Sequence, residues 1–198
     1  MSKTLYLMRH GQTMFNLRGK VQGASDSPLT ELGISQAQIA GQYFKNKNIK
    51  FDSLYSSSSE RACDTLENVA PNTPYQRSKG LKEWSFGLFE GESVDLLTAT
   101  WDNSDLFGNR LVAFEGDSRE EVEKRLNRTL TEMMEKSEGS TVLAVSHGTG
   151  IQAFLRTWIG DAAASEVAIG NCHILKFEYD NHQFKYIEKI DPIEEVKH

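Results

Sequence analysis

Two stretches of the chain share one grammar, an apolar run without helical spacing that ends in a histidine and a glycine. Leu5-Tyr6-Leu7-Met8 runs into Arg9-His10-Gly11, and Thr141-Val142-Leu143-Ala144-Val145-Ser146 runs into His147-Gly148. Short apolar runs of this kind read as buried strands. A buried strand does not keep an arginine and a histidine in its core, so Arg9 and His10 should emerge at its carboxyl end. That is the edge at which open α/β sheets bind ligands. Gly11 lets the backbone turn sharply and approach a ligand closely. Either histidine alone reads as a surface or structural residue, but two such junctions in one small chain predict two imidazoles at one sheet edge.

At 198 residues the chain reads as a single domain, 1–198, able to bury roughly 70% of the surface its unfolded form exposes. Its net charge of −6 argues against broad binding to nucleic acid or anionic membrane, both of which call for basic patches. An anion site in such a protein has to concentrate positive charge locally. No run approaches the roughly 20 apolar residues of a membrane span, and the N-terminus has no apolar leader segment. Cys63 and Cys172 form no CxxC pair and no disulfide framework, which fits reduced thiols in a cytoplasmic protein. No nucleic-acid or membrane partner is expected; a homodimer stays open.

Between the two junctions the elements alternate. The segment from Gly11 to Pro28 is long and polar for a plain connection, which favours a functional loop. Thr30 caps a helix through about Asn46, with Leu29, Leu32, Ala37, Ala40, Tyr43 and Phe44 mostly on one face. Phe51 to Ser56 reads as a strand, and Ser57-Ser58-Ser59-Glu60 as a capping box with Ser57 at the cap. Arg61 then falls in the first turn of a helix on the same edge as the histidines, where helix N–H groups favour anions and disfavour a merely structural cation. A brief strand is expected within Tyr75 to Leu81, and residues 92–117, with Trp101, Leu106 and Phe107, as an inserted lobe over the site. Ser118 to Glu121 forms a second capping box, opening a helix to about Lys136. A helix near Ile151 to Ile159 follows the second junction; Cys172 to Tyr179 and Phe184 to Ile190 then form a hairpin, with His173 and His182 structural. The tail after Pro192 is charged and expected to fray. The alternation gives an α/β fold, a three-layer α/β/α sandwich around a mostly parallel sheet.

Arg9, Arg61, His10 and His147 make a cationic cluster in an acidic protein. Guanidinium forks match phosphate oxygens two at a time, so the favoured ligand is a phosphoryl group. A neutral histidine with one nitrogen fixed as a donor can attack phosphorus and carry it covalently. The leaving alkoxide then needs a proton. Glu83 lies in Leu81-Lys82-Glu83-Trp84-Ser85-Phe86-Gly87-Leu88-Phe89-Glu90-Gly91, and a carboxyl desolvated by such aromatics has its pKa raised toward general-acid use. Two other classes compete. A metal hydrolase could use His10, His147 and carboxylates, but arginines repel a divalent cation and no HxH or HExxH motif is present. A non-catalytic phosphate-binding module would need the cations but not Glu83.

Taken together these residues resemble the histidine phosphatase superfamily, in its phosphoglycerate mutase-like branch. The resemblance is carried by Arg9-His10-Gly11 with Thr13 and Asn16, then Gln22-Gly23, Asp26, Pro28-Leu29-Thr30 and Gly33. It continues through Ser56-Ser57 ahead of Arg61-Ala62, the Glu83 segment, and Ser146-His147-Gly148, in the family's order over most of the chain. The resemblance implies that His10 is the phosphorylated nucleophile and that Glu83 is proton donor and then base for the hydrolytic water. It implies that Arg9, Arg61 and His147 hold the phosphoryl oxygens, with Asn16, Gln22 and Gly148 lining the phosphate pocket. It implies no metal and no cofactor. Phosphoglycerate mutases carry Glu-Arg-His-Tyr-Gly where this chain has Glu83-Trp84-Ser85-Phe86-Gly87, losing an arginine and a tyrosine hydroxyl associated with substrate. The expected activity is therefore hydrolysis of a small phosphorylated metabolite, with phosphoglycerate mutase as the alternative. Phosphoglycerates, sugar phosphates, sugar bisphosphates and nucleoside-like phosphates such as α-ribazole phosphate all stay open as substrates.

Overall fold

A computed structural model describes residues 2–99 and 108–196. Strand β1 (Lys3–Arg9) occupies the interior of a six-stranded sheet with β2 (Ser53–Ser57), β3 (Gln76–Ser78), β4 (Thr141–Ser146), β5 (Ile174–Asp180) and β6 (Gln183–Ile190). The order is β3-β2-β4-β1-β5-β6. The first four of these pair in parallel, while β5 and β6 form the antiparallel hairpin. One edge of the sheet is thus the three-residue β3 and the other the eight-residue β6.

Alternation along the strands builds two cores. Leu5, Leu7, Val142 and Ala144 face helices α5 (Arg119–Lys136) and α6 (Gly148–Ile159), where Leu126, Leu130, Ile151 and Phe154 are fully buried. Tyr6, Met8, Leu143 and Val145 face α2 (Glu31–Asn46) and α3 (Glu60–Val69) through Ala37, Phe44 and Leu66. The period of two required of a strand buried on both faces is what the apolar runs supply. The result is the expected three-layer α/β sandwich.

Several local expectations change. Leu32 is 53% exposed; the buried stripe of α2 is instead Gly33, Ala37, Ala40, Gly41, Tyr43 and Phe44. The residue that caps α3 is Ser59, without a side-chain cap bond, so the Ser57 capping box does not form. The charged tail does not fray at once: Pro192–Val196 is a short helix in contact with α2, and Lys47 pairs with Glu195 at 3.2 Å. The 92–117 lobe contains helix α4 (Val94–Ala99) and a 3-10 turn at Arg110–Phe114, with Leu97 and Leu111 buried. Trp101, Leu106 and Phe107 lie outside the described residues. Both cysteines are buried and unbridged.

Gly11 is also required by packing. Its φ is not positive, and a Cβ placed there would lie 2.5 Å from the Gly33 carbonyl oxygen. The missing side chain lets the first turn of α2 pack directly on the exit of β1. Gly11→Ala should therefore destabilise the fold by about 1–3 kcal/mol through overpacking, read as a lower midpoint in urea unfolding. An unchanged midpoint would show that α2 can shift at no cost.

Candidate active site

The parallel ladder between β1 and β4 aligns Arg9 with Ser146, and the His10 N–H donates to the Ser146 carbonyl at 3.0 Å. The next residue on each strand is a histidine, so register alone brings the two junctions together. The imidazole centroids lie 5.3 Å apart at an interplanar angle of 62°. Strand β2 runs parallel to β4 on its other side and delivers Ser57, then Arg61 in the first turn of α3.

His10 is 3% exposed, and its Nδ1 lies 2.8 Å from the Gly11 carbonyl oxygen. A carbonyl only accepts, so Nδ1 carries the proton and Nε2 keeps its lone pair. Burial, reinforced by the charges of Arg61 and Arg9, holds the His10 pKa well below 6.5. Neutral His10 thus has the state and tautomer a nucleophile requires. Burial first, then Arg61 and His10, likewise depress the pKa of His147. His147 Nε2 contacts Ser57 Oγ at 2.8 Å, whereas its buried Nδ1 has no hydrogen-bond partner.

Arg61 is fully buried, and its guanidinium is gripped from one side. Nη1 donates to Asp26 Oδ1 and the Ser25 carbonyl, and Nη2 to the Gly23 carbonyl, each at 2.9 Å. Arg9 donates from Nη1 to the Ile169 carbonyl at 2.7 Å; burial lowers its pKa, an effect the Glu83 carboxylate opposes. Gln22 Oε1 accepts from the hydroxyls of Thr13 and Ser27. Nε of Arg9, Nε of Arg61 and Nε2 of Gln22 are buried without hydrogen-bond partners among the described residues. With Nδ1 of His147 that makes four buried nitrogens without a partner in the neighbourhood of His10. Buried donors are ordinarily satisfied, so a group of them marks a place made for an acceptor. Gly148 opens α6, and a Cβ on it would meet the Arg9 guanidinium at 3.1–3.2 Å.

Glu83 is 7% exposed and sits at the N-terminus of α6. It accepts from the backbone N–H groups of Trp84 at 2.9 Å, Thr149 at 3.0 Å and Gly150 at 2.7 Å. Desolvation raises its pKa, and it outweighs the opposing pull of those N–H groups and of Arg61. Arg9, His10, Asn16, Gln22, Glu83 and Gly148 all line one cavity of about 490 Å³, whereas Arg61 and His147 are fully buried and do not line it. Asn16 is partly committed: its Oδ1 caps α1 (Met14–Leu17) by accepting from Thr13 N–H, and takes a further bond from Asn171. Every candidate site residue read from the sequence is therefore at this edge. Among the described residues, no group of three or more His, Cys, Asp and Glu is placed to hold a metal ion.

Comparison with known proteins gives the family. The sequence profile of the histidine phosphatase superfamily (branch 1) matches residues 5–191. The chain belongs to that superfamily. It is 32% identical over 183 residues to a protein of Yersinia pestis named probable phosphoglycerate mutase GpmB, covering 88% of this chain and 84% of that one. Among solved structures, a phosphoglycerate mutase from Bacillus anthracis superposes with a TM-score of 0.85 at 25% identity, over 99% of this chain and 96% of the other. A mutant phosphoserine phosphatase from Entamoeba histolytica in complex with phosphoserine gives a TM-score of 0.78 at 26% identity, covering 96% and 97%.

In this histidine phosphatase superfamily member, some site residues had no role readable from sequence. Glu90 is the chief one. Its carboxylate accepts from the N–H groups of Gly23, Ala24, Ser25 and Phe86 and from the Ser25 hydroxyl. Burial pushes its pKa up, but the bonds from Ser25, Phe86 and Ala24 prevail and hold it below the ordinary carboxylate value. Glu90 thereby fixes the loop whose Gly23 and Ser25 carbonyls hold Arg61. The available signal was a second carboxylate seven residues after Glu83, just before Gly91. An amide cannot accept all five bonds, so Glu90→Gln should cost about 2 kcal/mol in urea unfolding. A variant as stable as the parent would show that the loop holds itself.

Proposed function

We propose that this enzyme is a metal-independent phosphomonoesterase acting through a phosphohistidine on His10. The observation that carries the reading is the set of buried N–H donors without acceptors grouped about a neutral imidazole whose Nε2 is free. In the first step the His10 Nε2 lone pair forms a bond to phosphorus as the phosphorus–oxygen ester bond breaks. Arg9, Arg61, the His147 Nδ1–H and the Gly148 N–H would hold the non-bridging oxygens, where charge grows in the transition state. Glu83 would give its proton to the departing alkoxide. A water then attacks the phosphohistidine, gives its proton back to Glu83 and leaves inorganic phosphate and neutral His10.

Hydrolysis is favoured over mutase chemistry by the wall beyond the cluster. Val21, Phe86, Leu97, Val167 and Ile169 face the cavity, and its outer cations are Lys20 and Arg156, the latter 3.5 Å from Asp161. A mutase has to retain a bisphosphate with its carboxylate, which calls for more fixed cations than this wall offers. The same wall suits a small phosphorylated metabolite whose organic part has an apolar face.

p-Nitrophenyl phosphate should be hydrolysed in the presence of EDTA, and His10→Ala should lower kcat by at least about a hundredfold with the fold intact. EDTA-sensitive turnover would return the reaction to a metal. Interconversion of phosphoglycerates in the presence of bisphosphoglycerate, without net phosphate release, would make the enzyme a mutase.

Glu83→Gln supplies a separate test. Alkyl phosphates need the proton and should slow by about 10²–10⁴-fold, while p-nitrophenyl phosphate, with its good leaving group, should slow far less. The acid form of Glu83 is lost as pH rises through its raised pKa, so wild-type turnover of an alkyl ester should fall on the alkaline side. That limb should be absent in Glu83→Gln. Equal losses on both ester types would make Glu83 a positioning residue only.

A further inference from the structure

Ser57, predicted to cap α3, is instead fully buried against His147. We propose that Ser57 is a positioning residue that sets the tautomer of His147, keeping the proton on Nδ1 so that the neutral ring donates into the phosphoryl site. The inference rests on the phosphatase reading only for its consequence in turnover; the tautomer itself follows from local geometry. Ser57 Oγ accepts from the Ser59 N–H at 3.3 Å. Its own proton then has two places to go, His147 Nε2 at 2.8 Å and Ser59 Oγ at 3.4 Å. The shorter contact wins on distance, since hydroxyl hydrogen bonds centre near 2.8 Å and fade beyond about 3.0 Å. Nε2 is therefore the acceptor, and the remaining ring proton sits on Nδ1, the buried atom with no partner.

The requirement for such a device follows from the surroundings. His147 faces Arg61, Arg9, Arg125 and His10, with Glu83 on the neighbouring segment. This cationic company and complete burial keep the ring neutral. A neutral imidazole has one donor, and in the wrong tautomer it would aim a lone pair at the phosphoryl oxygens. The two histidines then form a complementary pair: Gly11 pins the His10 proton to Nδ1 and leaves Nε2 free to attack, while Ser57 pins the His147 proton to Nδ1 and aims it at the ligand.

The test is ¹⁵N NMR of the histidine-labelled full chain without substrate, with His147 assigned through His147→Gln. Wild type should show a neutral His147 with a protonated-type Nδ1 and an unprotonated-type Nε2. The reverse pattern would overturn the proposal, whether or not any variant folds and whether or not the chain turns over an ester. In Ser57→Ala the pattern should move toward Nε2–H, and kcat on p-nitrophenyl phosphate should fall about a hundredfold, the cost of one oxyanion donor. Ser57→Thr, which keeps the hydroxyl, should restore most of it. The wild-type to Ser57→Ala rate ratio should shrink as pH falls, because protonating His147 returns a donor to Nδ1. A pH-independent ratio with an unchanged tautomer would reduce Ser57 to packing. Absence of turnover in wild type, with the expected NMR pattern, would sink the phosphatase reading alone.

Discussion

The register between β1 and β4 is the constraint from which the site follows. Pairing Arg9 with Ser146 makes the residue after each strand a histidine at the same height on the same edge. A slip of one residue would reverse every side chain on β1 and exchange the Leu5, Leu7 face for the Tyr6, Met8 face. Both faces are packed by helices, so the cores that stabilise the sheet also fix the distance between the imidazoles. Stability and geometry of the site are one property here.

Burying guanidiniums next to imidazoles is costly, and the structure spreads the cost over several layers. A charge removed from water has to recover hydrogen bonds from its surroundings. Arg61 recovers them from Asp26 and from two carbonyls. Those carbonyls belong to a loop whose N–H groups end on Glu90. Positive charge, carbonyl dipoles and negative charge thus alternate outward from His10. The arrangement leaves Nε of Arg9 and Nε of Arg61 without a partner among the described residues, and the two guanidiniums favour the neutral state of both histidines.

How much of this could be read from the chain differs by the range of the interaction. Strand-to-histidine junctions, the Thr30 and Ser118 caps and the desolvated Glu83 are all local patterns, and each stands in the structure. Ser57 misled because a serine three residues before Glu60 fits a cap as well as it fits a partner for a histidine 90 residues away, and the long-range bond prevailed. Gly11 also packs on the backbone of Gly33, a long-range contact that the local pattern does not announce. Glu90 was part of a recognisable motif, but three of its five bonds come from the backbone N–H groups of Gly23, Ala24 and Ser25, far upstream, and a backbone N–H carries no side-chain signature of its partner.

The two ends of the sheet bear on how the molecule behaves among its own copies. A strand edge offers unpaired N–H and C=O groups to any other extended chain. On one side β3 offers only Gln76–Ser78, too short a template for a second strand to hold. On the other, β6 is long, but it carries Lys185, Glu188 and Lys189, so an added strand would have to match or desolvate alternating charges. Brevity at one border and charge at the other discourage open-ended sheet growth.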